Sequence, residues 1–424
     1  MAKLPLIRVQ AQDMRSFHIE RPVLLVTLAV FINYIDRGNL ATAAPLIQDQ
    51  LGLSATQLGL LGSAFYYTYV PFMPMAGWLA EHLGPKRVLA AGIVVWSLAT
   101  AFSGLVGGFS ALLILRLLLG VGESVAFPAA TKIVATSVPL ERLGFANGFM
   151  GFGYLVGPAV GTALGGYLMN WIGWRAVFLL LGAASLLWLW PWQRTSIPAR
   201  DDRLDGSAVP PLAEILSQRA LWGAALGHFA SNYSYYFIIA WLPFYLVKVH
   251  GFSMVSMATT ASWAYLLNAG AAFATGWIID RRIRAGQDPT HLHKLIMASA
   301  QLGSVVCMAA MVVLPPAGAI VALLMFELIA GCSYPGLFAI AQTLAGPSAT
   351  GRWVGVQNAC GNIAGMVAPV ATGVLVDRTG KFDWAFSIAA VVSALGFIGW
   401  VWILPQIRPI TWSTLVRSTA ERSG

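Results

Sequence analysis

Five ionisable side chains lie well inside long apolar stretches of the sequence: Asp36, Arg37, Arg116, Glu123 and Glu327. A charge near the middle of a bilayer costs at least ~2.5 to 3.5 kcal/mol on insertion scales, so such groups are expected to face a wet cavity or one another. An embedded carboxyl group, pulled one way by burial and the other by a nearby arginine, can bind and release a proton near neutral pH. An embedded arginine stays cationic and forks onto carboxylates. Together these chemistries predict an anion moved with protons. Arg116 and Glu123 are seven residues apart and share one helix face; Asn33 and Arg37, four apart, share another. Adjacent residues on a helix point about 100° apart, so Arg37 is expected to reach a cavity while Asp36 turns toward a neighbouring helix. Arg116 is expected to pair with Asp36 or Glu123. Glu327 has no evident basic partner and reads equally well as a packing residue or as a second titrating site.

These residues need helices to carry them. The chain is 58% hydrophobic and only 10% charged, which is not a soluble composition. A spanning helix takes roughly 20 mostly apolar residues, and about twelve such stretches occur, near 22–44, 57–80, 87–107, 110–135, 143–169, 174–193, 220–246, 257–279, 292–314, 317–341, 353–376 and 384–405. The first carries Asp36 and Arg37 with no small-residue cleavage site after it, and is expected to be a retained helix. Lys and Arg recur at alternate connections. With both termini inside, 20 of the 26 fall inside, 4 outside, and Arg37 and Arg116 within helices, which predicts cytoplasmic termini. The basic residues form no dense patch of the kind nucleic acid requires. Cys307, Cys332 and Cys360 have neither metal-site nor disulfide spacing, and no cofactor is expected.

The polar segment 194–219 divides the stretches six and six, giving two six-helix bundles at 1–193 and 220–424 joined by a cytoplasmic linker. The halves repeat each other, as transporters often do. Gly77-Trp-Leu-Ala-Glu81 answers Gly276-Trp-Ile-Ile-Asp280, and Asn147 and Pro158 recur as Asn358 and Pro369, both 211 positions later.

The runs Asn33–Leu40, Gly77–Arg87, Arg116–Pro128 and Trp241–Leu246, with Asn358–Ile363 and Thr379–Phe386, resemble the anion:cation symporter family of the major facilitator superfamily. The resemblance spans nearly the whole chain. It implies twelve transmembrane helices in two pseudo-symmetric bundles, rocking about an organic anion carried inward with protons, in a bacterial inner membrane and as a monomer. It implies further that Asp36 and Glu123 couple protons, that Arg37 binds the substrate carboxylate, that Arg116 pairs with the acids, and that Tyr69 and Asn358 bond the substrate. Asn362 on the face of Asn358, and Trp241, complete the candidate site. The loop Gly77, Glu81, Gly84 and Arg87, with Asp280 in the second half, is expected to gate, Arg87 and Arg142 being candidate partners for Glu81. Glu81 stands where the family carries Asp, which alters the geometry. The run Asn147–Tyr154 has less amide character than sugar-acid permeases show, so an aromatic carboxylate competes with a sugar acid as cargo.

A drug/proton antiporter shares this fold, but such proteins usually bind cations, which Arg37 and Arg116 would repel. A receptor would not need Asp36 and Glu123. A membrane enzyme would need a nucleophile, metal ligands or an acid pair, and the sequence offers none; a phosphate-binding GlyLysSer or GlyLysThr loop is also missing.

Overall fold

The computed structural model describes residues 19–138, 143–197 and 210–413, and among these every regular element is helical. The first half comprises α1 (Arg21–Leu51), α2 (Ala55–His82), α3 (Pro85–Ser103), α4 (Phe109–Ser124), α5 (Ala126–Ser137), α6 (Leu143–Leu187) and the short α7 (Leu189–Gln193). The second comprises α8 (Leu212–Leu216), α9 (Arg219–Phe244), α10 (Met254–Arg284), α11 (Pro289–Val313), α12 (Pro316–Gly331), α13 (Tyr334–Thr379) and α14 (Asp383–Ile398). Single π-helical turns, Tyr245–Val249 and Gly399–Ile403, extend α9 and α14. Most of the expected linker, and Arg142, lie outside the described residues.

Twelve crossings arise from these helices because two of them double back. In α6 the chain reverses at Gly173 (φ 76°) and in α13 at Gly346 (φ 66°), left-handed conformations that glycine adopts without a Cβ penalty. Conversely, α4 and α5 make one crossing interrupted at Val125, and α12 runs on into α13. Eight segments are long and apolar enough to cross a membrane by composition alone, one of them holding both arms of α6. The crossings below that threshold are α2, α9 and α10. All three run along the seam between the halves, where α2 packs on α13, α10 on α6 and α9 on α1. Away from the seam the surface is apolar, with Trp171, Leu187 and Val313 each more than 70% exposed, as lipid contact requires.

Helix approach is set by glycine. Gly153, Gly157, Gly161 and Gly165 recur every fourth residue on α6, and a Cβ on any of the first three would stand within 3 Å of α1 atoms at Thr27, Tyr34 or Ile35. Gly120 does the same for α4 on α2, where a Cβ would meet Phe65 O at 2.3 Å, and Gly331, 211 positions later, for α12 on α10, where it would meet Asn268 O at 2.2 Å.

The repeat extends to side chains. Arg21 caps the Pro191 carbonyl and Arg219 the Trp402 carbonyl; Lys86 donates to the carbonyls of Gln193 and Thr195, Lys294 to those of Val401 and Leu404. Each half thus uses a basic residue at the start of its first crossing and another on its third to satisfy the exposed carbonyls that end its last crossing.

Among the described residues, the polar contacts between the halves gather toward one end. At the far end, where α1 gives way to α2, the Asp377 carboxylate on α13 accepts from the amides of Ala55 (2.9 Å) and Thr56 (2.7 Å), capping α2 from across the seam, and Lys248 pairs with Asp49. Tyr167 with Thr259, Ser262 with the Ala159 carbonyl and Tyr67 with the Met366 carbonyl continue the seam inward. At the near end, beside Arg21, Cβ atoms added to Gly148, Gly351 or Gly355 would meet nothing within 4 Å.

Candidate functional site

Arg37 sits half-way along α1 and its side chain is 9% exposed. Its Nε donates to Glu123 Oε2 at 2.8 Å, while its guanidinium carbon lies 4.6 Å from the ring centroids of both Tyr34 and Tyr69 and 5.0 Å from that of Phe65. Tyr69 and Phe65 are one turn apart on α2 and stack at 5.0 Å. The cation is therefore held edge-on by a carboxylate and face-on by three rings. One donor nitrogen, Nη2, has no partner among the described residues.

Gly120 brings α4 against the α2 backbone and so delivers both Glu123 and Arg116 to this place. The expected pairing is corrected here. Glu123 bonds Arg37 rather than Arg116, because seven residues of helix separate Arg116 from Glu123 by about 10 Å of rise. Arg116, 7% exposed, donates instead to the Leu61 carbonyl at 3.3 Å and lies 5.5 Å from the Phe65 ring. Asp36 is buried, with Asn39 Nδ2 donating to its Oδ1 at 3.2 Å and no hydrogen-bond partner for Oδ2 among the described residues.

A cavity opens between the halves on the far side of Arg37. Arg37, Arg116 and Tyr66 line it from the first half, and Tyr236, Trp241 and Pro369 from the second, with aliphatic wall from α1, α2 and α9. Tyr66 and Tyr236 touch across the seam with centroids 4.6 Å apart. Of the expected substrate residues, Arg37 and Trp241 reach this wall. Trp241 contributes surface only, since its Nε1 is engaged by the Pro369 carbonyl at 3.1 Å. Tyr69 stands behind Arg37. Asn362 accepts from the Tyr236 hydroxyl at 2.7 Å and donates to Asn358 Oδ1 and O, so the two amides hold a lining tyrosine in place.

At the near end, Gly84 (φ 86°) turns the chain from α2 into α3, Gly77 faces open space, and Arg87 and Asp280 are exposed. The Glu81 side chain and Arg142 lie outside the described residues.

Sequence reasoning missed Tyr34 and Phe65, although Tyr34 stands three residues before Arg37 and Phe65 four before Tyr69. It also missed the partner of Glu327: Asn268 on α10, 59 residues away in sequence, donates to Oε2 at 2.9 Å.

The model of the Major Facilitator Superfamily matches residues 26–369 and 291–421. The chain belongs to this superfamily. A hexuronate transporter of Bacillus subtilis is 32% identical over 406 residues, covering 92% of this chain and 94% of that protein. A probable sulfoacetate transporter of Cupriavidus necator is 29% identical over 90% of this chain and 93% of its own length, and a probable L-galactonate transporter of Escherichia coli 27% identical over 92% and 91%. In fold the chain is similar to a bacterial homolog of the human lysosomal transporter Spinster in an inward-facing, unoccupied conformation (TM-score 0.75, 20% identity, 89% of this chain and 96% of that one). The chain is thus a multi-pass transporter of the superfamily, and its relatives from Bacillus, Cupriavidus and Escherichia are named for organic anions. The expected fold class and family stand.

Proposed function

We propose that this transporter imports a small organic anion together with protons, through alternating access, across a bacterial inner membrane. The observation that carries the reading is the shared guanidinium of Arg37, which lines the cavity and is neutralised by Glu123. A substrate carboxylate approaching Arg37 competes with Glu123, because two carboxylates on one cation repel each other in a low dielectric. Protonating Glu123 removes that repulsion and frees the fork for the substrate. Proton and anion therefore bind together, and each disfavours the other's departure. Asp36, one residue from Arg37, is a second carboxyl group for the same exchange, and Arg116 adds cationic character to the wall.

The cargo class follows from the lining. Tyr66, Tyr236, Trp241 and Pro369 are mostly ring surface, and two of their polar groups are already bonded within the protein. A compact or aromatic carboxylate matches this wall better than a polyhydroxylated sugar acid. Hexuronate, galactonate and sulfoacetate, carried by relatives, share the anionic group that Arg37 would take. A cationic drug does not match two arginines.

In this reading residues 1–193 and 220–424 rock as two bodies joined by 194–219, in a single chain. The near end is cytoplasmic, with Gly77, Glu81, Gly84, Arg87 and Asp280 forming the gate that must close there. Uptake of radiolabelled aromatic acids and sugar acids into proteoliposomes tests this. Accumulation of at least one acid driven by an inward proton gradient and abolished in Arg37→Ala is expected; uptake of organic cations in its place would refute it.

A further inference from the structure

The second half carries a buried acid that the exchange at Arg37 does not use. Glu327 is 1% exposed, and Asn268 is its one hydrogen-bond partner among the described residues; Oε1 has none. It lines a pocket within the second half, together with Tyr235, Gln301, Ser304, Ser333 and Tyr334. Tyr235 packs on Tyr334 at 6.1 Å and on Tyr236 at 5.4 Å, so a pair of rings stands between this pocket and the central cavity.

The internal repeat says what this pocket corresponds to. On the first crossing of each half Arg21 answers Arg219 and Pro45 answers Pro243, both 198 positions apart; at that offset Arg37 answers Tyr235. On the second crossing the capping serines Ser54 and Ser253, and Gly77 and Gly276, stand 199 apart, and Tyr69 answers Asn268. On the fourth, Gly120 and Gly331 make the same close helix approach 211 apart, and there Arg116 answers Glu327 and Glu123 answers Tyr334. The four residues that build the charged cluster of the first half thus have counterparts that meet around one pocket of the second. In the first half the set holds two arginines and one acid; in the second it holds one acid and no base.

We propose that Glu327 is a proton-binding site of the second half, loaded and emptied separately from the Arg37–Glu123 pair. A packing role would be met by an apolar side chain without the desolvation cost of a buried carboxyl group. A carboxyl group with one oxygen unpartnered, in a pocket lined by hydroxyls and amides, is suited to taking a proton to Oε1 from water admitted when the halves rearrange. The titratable groups facing it are the phenols of Tyr235 and Tyr334 from α9 and α13 and that of Tyr265 from α10. From α11 come Gln301 and Ser304, which do not titrate. No lysine, arginine, histidine or second acid lines the pocket among the described residues. The effect on transport rests on the proton-coupled reading above; the site itself does not.

Infrared difference spectra of the full chain in lipid, taken between acid and alkaline pH, test the site without any substrate. A protonated-carboxyl carbonyl band lost on raising pH is expected, missing in Glu327→Gln, kept in Glu123→Gln, and shifted in frequency in Asn268→Leu. The Asn268 variant decides the matter should Glu327→Gln fail to fold. Flux of the acid that accumulates in the uptake panel above, followed with a pH dye in proteoliposomes, then counts protons, and Glu327→Gln is expected to carry one fewer per anion. An unchanged carboxyl band in both variants, or a gradient of sodium replacing that of protons in a Glu327-dependent way, overturns the proposal. Absence of proton flux with an acid that the unmodified chain does transport, with the Glu327 band intact, would count against the coupling reading alone.

Discussion

Arg37 owes its pose to neighbours on three helices: Tyr34 on its own helix, Phe65 and Tyr69 on α2, and Glu123 on α4. Lysine at this position would keep the charge but lose the planar fork that, in the proposed exchange, passes from an acid of the protein to an acid of the substrate. Arg37→Lys is therefore expected to weaken anion uptake by at least about tenfold, about 1.4 kcal/mol, chiefly as a raised KM in proteoliposome assays. Removing the counter-charge acts on stability. Glu123→Ala leaves a buried cation unpaired, which costs about 3 to 5 kcal/mol, whereas Glu123→Gln keeps an acceptor oxygen and should cost less; thermal unfolding in detergent would separate the two. The identity of these residues was legible in the sequence because charges inside apolar stretches are conspicuous. Their pairing was not. Spacing along a helix reports which side chains share a face, but the partner of Arg37 comes from a helix 86 positions away, and the partner of Glu327 from one 59 positions away.

At the scale of helices, the twelve crossings and their six-and-six division were legible from hydropathy. So were the breaks at Gly173 and Gly346, which fall between stretches read as separate; the interruption of a single crossing at Val125 was not, and it depends on packing against neighbours. The contact of α2 with α13 at the far end rests on two features that can be altered. A Cβ on Gly59 would stand 2.4 Å from the Pro369 carbonyl oxygen, so Gly59→Ala must part the helices there. Asp377→Asn removes the charge that caps α2, worth about 0.3 to 1 kcal/mol at a helix N-terminus. Both substitutions are expected to shift the population toward opening at the far end, several-fold for Asp377→Asn. Spin-label distances between the far ends of α2 and α13 would lengthen; unchanged distances would show that this contact does not hold the end shut.

Across the whole molecule, the basic residues that bind the last carbonyls of each half, Arg21 and Lys86 in one and Arg219 and Lys294 in the other, make two bodies of the same construction. Bodies built alike that meet along a seam can tilt against each other while keeping their interiors, as alternating access requires. The excess of Lys and Arg at the near end predicts that a reporter fused to the C-terminus is active in the cytoplasm and silent outside it. In the proposed exchange Glu123 and the substrate compete for one guanidinium, so that anion and proton move together. Uptake of a transported acid at fixed internal pH, with external pH stepped from alkaline to acid, tests it most directly in the unmodified chain and in Glu123→Gln. Uptake that accelerates as the outside is acidified, collapses with an uncoupler and loses its pH dependence in Glu123→Gln is the predicted result; uptake indifferent to the gradient, or a gradient response that survives in Glu123→Gln, would contradict it.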